Sequence, residues 1–477
     1  MNMHPRIQPS FLFALLFLWS SFAFAGNISD PFDTEELLPP KPALRLGGSV
    51  GDPCAEAMPK HALNLLEVVN LALCNNPQTR EMWANSQVQA AQVGVSKAVY
   101  LPSASLSASD NRNKTGSAPR TDQRSAGATL SYLLYDFGSR AANLENARQL
   151  LAAASATQDS TVQSVFLAAV QAFYQAQATA AALDASLESE HAAKESFSAA
   201  EARYNAGSAT PADKLQAQTA YSQATLNRIT SDGNLKNAQG TLANIIGLDA
   251  NKDVTLETAN TMTMPDNFEG DINTLIEEAR RHRPDLQAAA AQVKAAEASA
   301  DAARAGGRPT ISLSASANQI SNSGISSNNS LVGINLSVPI FSGFAPTYRV
   351  RAAEAQVEAK NAQLDRLRLQ VALDVWTAYQ HLTTATQSLR STADLLNSAE
   401  QSDRVVMGRY KAGVGSMLDV LNAQSALASA RQQRIQSTFN WNISRATLAQ
   451  AMGSLDADLL NNLPDAKYKQ PGISKQQ

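Results

Sequence analysis

Two hydrophobic periods alternate along this chain, and each appears twice. From Ser139 to Tyr204 the sequence is rich in Ala, Gln and Glu and has neither Gly nor Pro; residues 347–410 are similar. In the second stretch Leu364, Leu367, Val371, Val375, Ala378, Leu382, Ala385, Leu389, Ala393 and Leu396 advance in steps of three and four. That spacing predicts a helix with a continuous coiled-coil-like seam. About 65 residues at 1.5 Å each make a rod of roughly 100 Å, which has to pack on other long helices. The second period is two. Ala104, Leu106 and Ala108 alternate with Ser103, Ser105, Ser107 and Ser109, and Ala128, Leu130, Tyr132 and Leu134 with Gly127, Thr129, Ser131 and Leu133. Ile311, Leu313, Ala315 and Ala317 repeat the first pattern; Val332, Ile334, Leu336, Val338 and Ile340 repeat the second. These are strands of about ten residues with one apolar face and one small polar face, long enough to cross a membrane when tilted. They form hairpins 102–135 and 309–341, with polar loops over 111–124 and 319–330.

The order of these elements is itself duplicated. Arg203-Tyr-Asn-Ala-Gly207 returns as Arg409-Tyr-Lys-Ala-Gly413, and Thr241-Leu-Ala as Thr447-Leu-Ala, both at an offset of 206 residues. Each half predicts a helix of about 24 residues opening at Pro77 or Pro284, a hairpin, a rod, a turn and a returning helix (211–246 or 417–452). A returning helix stacked end to end on the 24-residue helix matches the rod in length. Gly207 and Gly413 suit the left-handed position after a helix. Thr210-Pro-Ala-Asp213 and Ser416-Met-Leu-Asp419 read as helix starts with an acid at the third position, where it complements the helix dipole.

The organisation that follows is a signal peptide over 1–25, with Ala23-Phe-Ala25 as a small-residue cleavage site, and an extended Pro-rich arm over 26–60. Then come a first repeat over 61–247, an equatorial connector over 248–283, a second repeat over 284–453, and an equatorial segment with a loose tail over 454–477. An exported chain whose two cysteines are Cys54 and Cys74 predicts a disulfide between them. The net charge of -3, the pI near 6.0 and scattered basic residues give no sign of nucleic-acid binding. The mean hydropathy of -0.22 fits a chain with no transmembrane helix, and leaves a β-barrel open. Enzyme chemistry has no support: His4, His61, His191, His282 and His381 are far apart, no Gly-rich phosphate loop follows a strand, and Met262 and Met264 beside Pro265 read as loop residues. No catalytic, cofactor or metal residue is assigned.

Four strands cannot close a barrel, and an open sheet leaves edges that a bilayer does not tolerate. Two copies would supply eight strands and three would supply twelve; the small polar face favours the larger, water-filled lumen. At this point Asn76-Pro77, Leu101-Pro-Ser-Ala-Ser-Leu106, Leu134-Tyr-Asp-Phe-Gly-Ser-Arg140, Arg203-Tyr-Asn-Ala-Gly207, Val338-Pro-Ile-Phe-Ser-Gly343 and Arg409 to Asn422 together resemble the TolC family of outer-membrane export channels, over about residues 61–466. The resemblance implies a mixed α and β fold: four transmembrane β-strands per chain plus long coiled-coil-like α-helices, as a homotrimer with a twelve-stranded barrel continuous with a helical periplasmic tunnel. It implies an exit duct in the outer membrane of a Gram-negative bacterium. Its partners would be outer-membrane lipid, a periplasmic adaptor protein, and an inner-membrane ABC or proton-driven pump, for small-molecule efflux or type I protein secretion. It places the repeated turns, with Gly207, Gly413 and Gly415, at the closing tip where adaptors dock. Asp419 would face the lumen as a carboxylate ring, with Asn422 where some members carry a second acid. Tyr410 and Asp213 would form a link between neighbouring coils. Gly415, standing where some relatives have a basic residue, would leave a looser latch. Thr210-Pro211 stiffens the first turn and Gly415-Ser416 leaves the second more permissive, so the second, with Asp419, is expected to move on opening. The competing reading, a non-conducting periplasmic coiled-coil scaffold, accounts for the rods and not for the hairpins.

Overall fold

The structure, a computed structural model, describes residues 30–38, 61–114, 116, 120–257, 271–322 and 325–455. The signal peptide, most of the arm including Cys54, the loop holding Met262 and Met264, and the tail lie outside the described residues. The helices are α1 (Leu65–Asn75), α2 (Pro77–Ala98), α3 (Ser139–Asn205), α4 (Pro211–Ile245), α5 (Ile272–His282), α6 (Pro284–Ala305), α7 (Ala345–Lys411) and α8 (Met417–Ala451). The strands are β1 (Ser103–Asn113), β2 (Thr121–Tyr135), β3 (Thr310–Asn322) and β4 (Ile325–Ser337). The two rods α3 and α7 are 67 residues each, and α4 and α8 are 35 each. Contacts divide the chain into two compact units, and each unit draws on both sequence repeats: one holds 87–148 and 301–348, the other 149–300 and 349–477.

The first unit holds one four-stranded antiparallel sheet in the order β1-β2-β3-β4, with β1 and β4 at its edges. The strands run 11, 15, 13 and 13 residues, longer than the alternation predicts. Most of the stretches read as polar loops are paired strand, from Thr121 to Arg124 and across Gln319–Asn322 with Ile325–Ser330. Backbone pairing does not depend on side-chain polarity, so the ladder runs on past the apolar alternation. The second hairpin ends at Ser337, before Pro339, which lacks the N–H that a ladder requires.

The register puts Leu106, Ala128, Ala317 and Ser330 on one rung, with Ala104, Leu130, Ala315 and Val332 on the next, so the apolar residues share a face. The other face is mostly Ser, Thr, Asn and Gly, with Leu133, Ile320 and Leu331 among them. Along β2, Arg124, Ala126 and Ala128 are exposed while Ser125 and Gly127 are half-buried. At the helical end Tyr135 and Phe137 meet edge to face at 4.7 Å, and Phe341 and Phe344 at 5.5 Å, all exposed. The joint between β2 and α3 is pinned. Asp136 accepts from the backbone N–H of Gly138 and Arg140, and Arg140 donates to the carbonyls of Leu133 (2.7 Å) and Leu134 (3.2 Å) while stacking 4.9 Å from the Tyr100 ring centroid. The corresponding second joint carries Ser342 and Pro346 and has no such pin. Arm residues 30–38 dock on α2: Lys97 donates to the Phe32 carbonyl (3.0 Å), and a Cβ on Gly94 would come within 3.1 Å of the Thr34 methyl.

The second unit is built on the predicted seam. Val371, Val375, Ala378, Leu382 and Leu389 of α7 are buried against Leu275 and Ala279 of α5 and Trp441 and Leu448 of α8. A sister core packs Phe166, Val165 and Val170 of α3 on α1, on Leu242 of α4 and on Ile246 just past its end. The returning helices do meet the starts of the shorter ones. Gly247 (φ +82°) lies so close to Asn75 that a Cβ would fall 2.7 Å from the Asn75 Cβ, and Asn76 Nδ2 donates to the Ile245 carbonyl (3.2 Å). Gly453 (φ +73°) repeats this against Arg283 at 3.0 Å. These junctions stand immediately before Pro77 and Pro284, whose missing N–H is tolerated in a first helical turn. Cys74, on α1, is disulfide-bonded, and the chain's one other cysteine is Cys54.

Candidate functional site at the paired helix turns

The repeated motif folds into two matching turns. Gly207 N–H donates to the Tyr204 carbonyl (2.9 Å) and Ser208 N–H to that of Arg203 (2.9 Å). Gly413 and Val414 make the same pair to Tyr410 and Arg409, both at 3.0 Å. With φ of +74° and +80° at the glycines, both are Schellman closures. Each next helix opens on a capping box: Thr210 Oγ1 accepts from Asp213 N–H while Asp213 accepts from Thr210, and Ser416 and Asp419 do the same. These bonds hold both carboxyls below the usual carboxylate range, chiefly through the Thr210 hydroxyl for Asp213 and the Ser416 hydroxyl for Asp419. The N-cap reading of the two acids is therefore present in the structure; capping leaves Asp419 exposed, as is Asn422.

The turns are tied to each other by a contact that the sequence reading missed. The Arg203 guanidinium lies over the Tyr410 ring, 4.2 Å from its centroid, and Nη2 donates to the Tyr410 carbonyl at 2.9 Å. Tyr410 is 7% exposed and packs with Ala200, Ala217, Met417 and Val420. The expected link between Tyr410 and Asp213 is not formed within the chain. Thr210 engages Asp213, by hydrogen bonds of 2.7 and 3.0 Å, and the Tyr410 ring is turned into the cluster beneath Arg203. The repeated Arg-Tyr pair was the available signal, since two identical dipeptides on adjoining turns can cross-stack. Gly415 has a steric role of its own. A Cβ there would sit 3.0 Å from Tyr410 N and 3.3 Å from Arg409 C, so this glycine serves close packing in a tight turn.

Charge around the site is sorted by exposure. Lys214 pairs with Glu201 (2.9 Å), Arg228 with Glu190 (2.7 Å) and Arg431 with Glu188 (2.7 Å). On α8 the exposed positions are Leu418, Asp419 and then Asn, Ser, Ala, Gln and Thr as far as Asn440, leaving Asp419 as their one charge. Asp403 Oδ1, on α7 near Arg431, is buried without a hydrogen-bond partner among the described residues, and burial pushes its carboxyl up. Among the described residues no group of three or more His, Cys, Asp or Glu is placed to hold a metal ion, and no helix is long and apolar enough to cross a membrane.

The sequence signature of the family described as outer membrane efflux protein matches residues 68–248 and 275–454, one segment in each repeat. Protein CyaE of Bordetella pertussis is 32% identical over 461 residues, covering 94% of this chain and 96% of that one. Outer membrane protein TolC of Vibrio cholerae is 24% identical, covering 83% of this chain and 91% of that protein. Among solved structures, the Campylobacter jejuni CmeC outer membrane channel superposes with a TM-score of 0.75 at 19% identity, over 85% of this chain and 92% of that one.

Proposed function

We propose, for a chain that belongs to the outer membrane efflux protein family, that three copies close into one conduit and that the paired turns form its gate. The chain is an outer-membrane exit duct, for efflux or for type I secretion. The observation that carries the trimer is the open sheet: among the described residues the outer edges of β1 and β4 have no partner strand, and one face carries Leu and Ala where the other is mostly small and polar. Twelve strands leave a lumen where eight would fill it with side chains. The carbonyls and N–H groups of β1 and β4 then pair between copies, as a bilayer demands.

Three copies also bring six of the repeated turns together. The Arg203–Tyr410 contact joins the first turn to the second within a chain. The same dipeptide at Arg409 and Tyr204 extends the ring, Arg409 of one copy stacking on Tyr204 of the next, as a heterologous cyclic contact requires. Asp419 lines the aperture, three carboxylates that favour cations and bind multivalent ones. Adaptor docking is assigned to the exposed turns around Gly207 and Gly413, and the driving energy to an inner-membrane pump.

Of the two cargo classes we favour a secreted polypeptide. The α8 stripe beyond Asp419 is hydroxyl and amide, a surface that holds neither cationic nor anionic side chains as they pass. Single-channel recording of the reconstituted protein tests the duct: absence of conductance in both wild type and Asp419→Ala refutes it. Deletion in the native bacterium separates the cargoes. Loss of an exported polypeptide from the medium supports secretion, while drug sensitivity with the exported proteins unchanged overturns it.

A further inference from the structure

The β1–β2 hairpin continues past its apolar band, and its face residues change from apolar to charged without a change of face. Register pairs Ala104 with Leu130, Leu106 with Ala128 and Ala108 with Ala126; the next two rungs on that face are Asp110 with Arg124 and Arg112 with Asp122. Each of these charged rungs is balanced, with Arg124 Nε 3.4 Å from Asp110 and Arg112 Nε 2.7 Å from Asp122. Just beyond the last pair, Asn113 with Thr121, Lys114 follows one strand and Arg120 precedes the other, both exposed. Two like charges at one end of a hairpin repel each other, and an anion between them relieves the repulsion. Neither has an acidic partner among the described residues. The second hairpin has nothing comparable: its matching positions are Gln319, Ser321, Ser326 and Asn328. The charge is therefore a property of one hairpin and is not a general feature of the rim.

The position of the patch identifies its partner. It lies on the bilayer-facing side, at the end of the barrel away from the helices, which in this family is the cell exterior. Lys114 lies six residues beyond Ala108, about 20 Å along the strand and roughly 15 Å along the membrane normal at the usual barrel tilt. That height is the headgroup layer of the outer leaflet, whose lipid is a phosphorylated, multiply anionic glycolipid. Arginine and lysine on adjacent rungs match phosphate, the guanidinium as a fork and the ammonium as a point charge.

We propose that Lys114, Arg120, Arg112 and Arg124 form a binding site for the phosphate groups of this outer-leaflet glycolipid, one site per chain. Asp110 and Asp122 hold the two strand arginines extended along the rungs and temper the site, so that Lys114 and Arg120 supply its net positive charge. Basic clusters at a membrane surface recognise anionic headgroups in this way.

The test uses the full-length, detergent-purified protein and native mass spectrometry, which counts retained lipid, with titration of lipopolysaccharide for affinity. Wild type is expected to retain lipopolysaccharide. K114Q/R120Q is expected to bind it at least tenfold more weakly, and D110N/D122N more tightly than wild type. The opposite signs separate a binding role from misfolding, which would weaken both. Unchanged affinity in K114Q/R120Q overturns the site. Equal affinity of wild type for phosphatidylglycerol, or full competition by millimolar inorganic phosphate, overturns the glycolipid assignment.

Discussion

Replacing Arg203 by Ala removes the tie between the two turns and should shift the channel toward its open state. The side chain makes one charge-assisted hydrogen bond, to the Tyr410 carbonyl, and one stacking contact with the Tyr410 ring. That carbonyl keeps a second donor, Gly413 N–H at 3.0 Å, so it is not left unsatisfied and the loss falls toward the low end of the range. About 1.5 kcal/mol for the hydrogen bond and about 0.5 kcal/mol for a partly exposed cation–π contact give about 2 kcal/mol per chain. If the second turn swings away from the first on opening, three chains contribute about 6 kcal/mol to the closed state, and about 5.5 kcal/mol is what moves a two-state population from 1:99 to 99:1. Single-channel recording should therefore find Arg203→Ala in a steady high-conductance state where wild type is mostly shut. Tyr410→Phe is the internal control. The clip uses the tyrosine ring and its main-chain carbonyl, so removing the hydroxyl should leave conductance near wild type; a gate held by a Tyr410–Asp213 hydrogen bond would open instead. Wild-type conductance in Arg203→Ala, with faster amide exchange at 408–416 confirming that the clip is gone, would refute the idea that opening breaks it.

Arg409→Ala and Tyr204→Ala should each raise open probability and, as partners across copies, should be non-additive in a double-mutant cycle; additive effects would rule out the contact. Arg140→Ala should cost about 3 kcal/mol or more, because it leaves the Asp136 carboxylate and two strand-end carbonyls without their cation; heat-resistance of the assembled oligomer on gels reads this out. Gly247→Ala should destabilise by about 2 kcal/mol or more, from a positive φ and a clash with Asn75 together, lowering Tm, while Gly233→Ala, which meets nothing within 4 Å, should not. Asp403→Asn should raise Tm at neutral pH. Burial raises the folded-state pKa, so the ionised carboxylate is penalised above that value and the penalty is absent below about 3.8; the gain in the variant should vanish as pH falls through this window, and a gain that persists at pH 3 would exclude the ionisation as its cause.

Much of this protein is legible one element at a time. The steps of three and four from Leu364 to Leu389 specify which face of α7 is buried, because a helix turns by a constant angle and any seam must repeat at that spacing. Thr210-Asp213 and Ser416-Asp419 specify two helix starts, because the bonds that satisfy a helix N-terminus are local. The offset of 206 residues specifies that the two halves share a form, and the strict alternation of Ser with Leu and Ala specifies a sheet with two unlike faces.

The length of the strands was decided by pairing between chain segments, which carries β2 back to Thr121 and β3 to Asn322 through residues whose own pattern is that of a loop. The stacking of α4 on α2 and of α8 on α6 was suggested by matching lengths, yet the close approach of Gly247 to Asn75 appears only when the helix ends meet. The gate itself was least visible. Arg203 and Tyr410 each stood in a recognised motif, and the contact between them depends on the lateral placement of two turns separated by some 200 residues. Sequence determined the helices, strands, caps and duplication, since each arises from neighbours within a few residues; tertiary structure decided which duplicated side chains touch, since that depends on how separate elements pack.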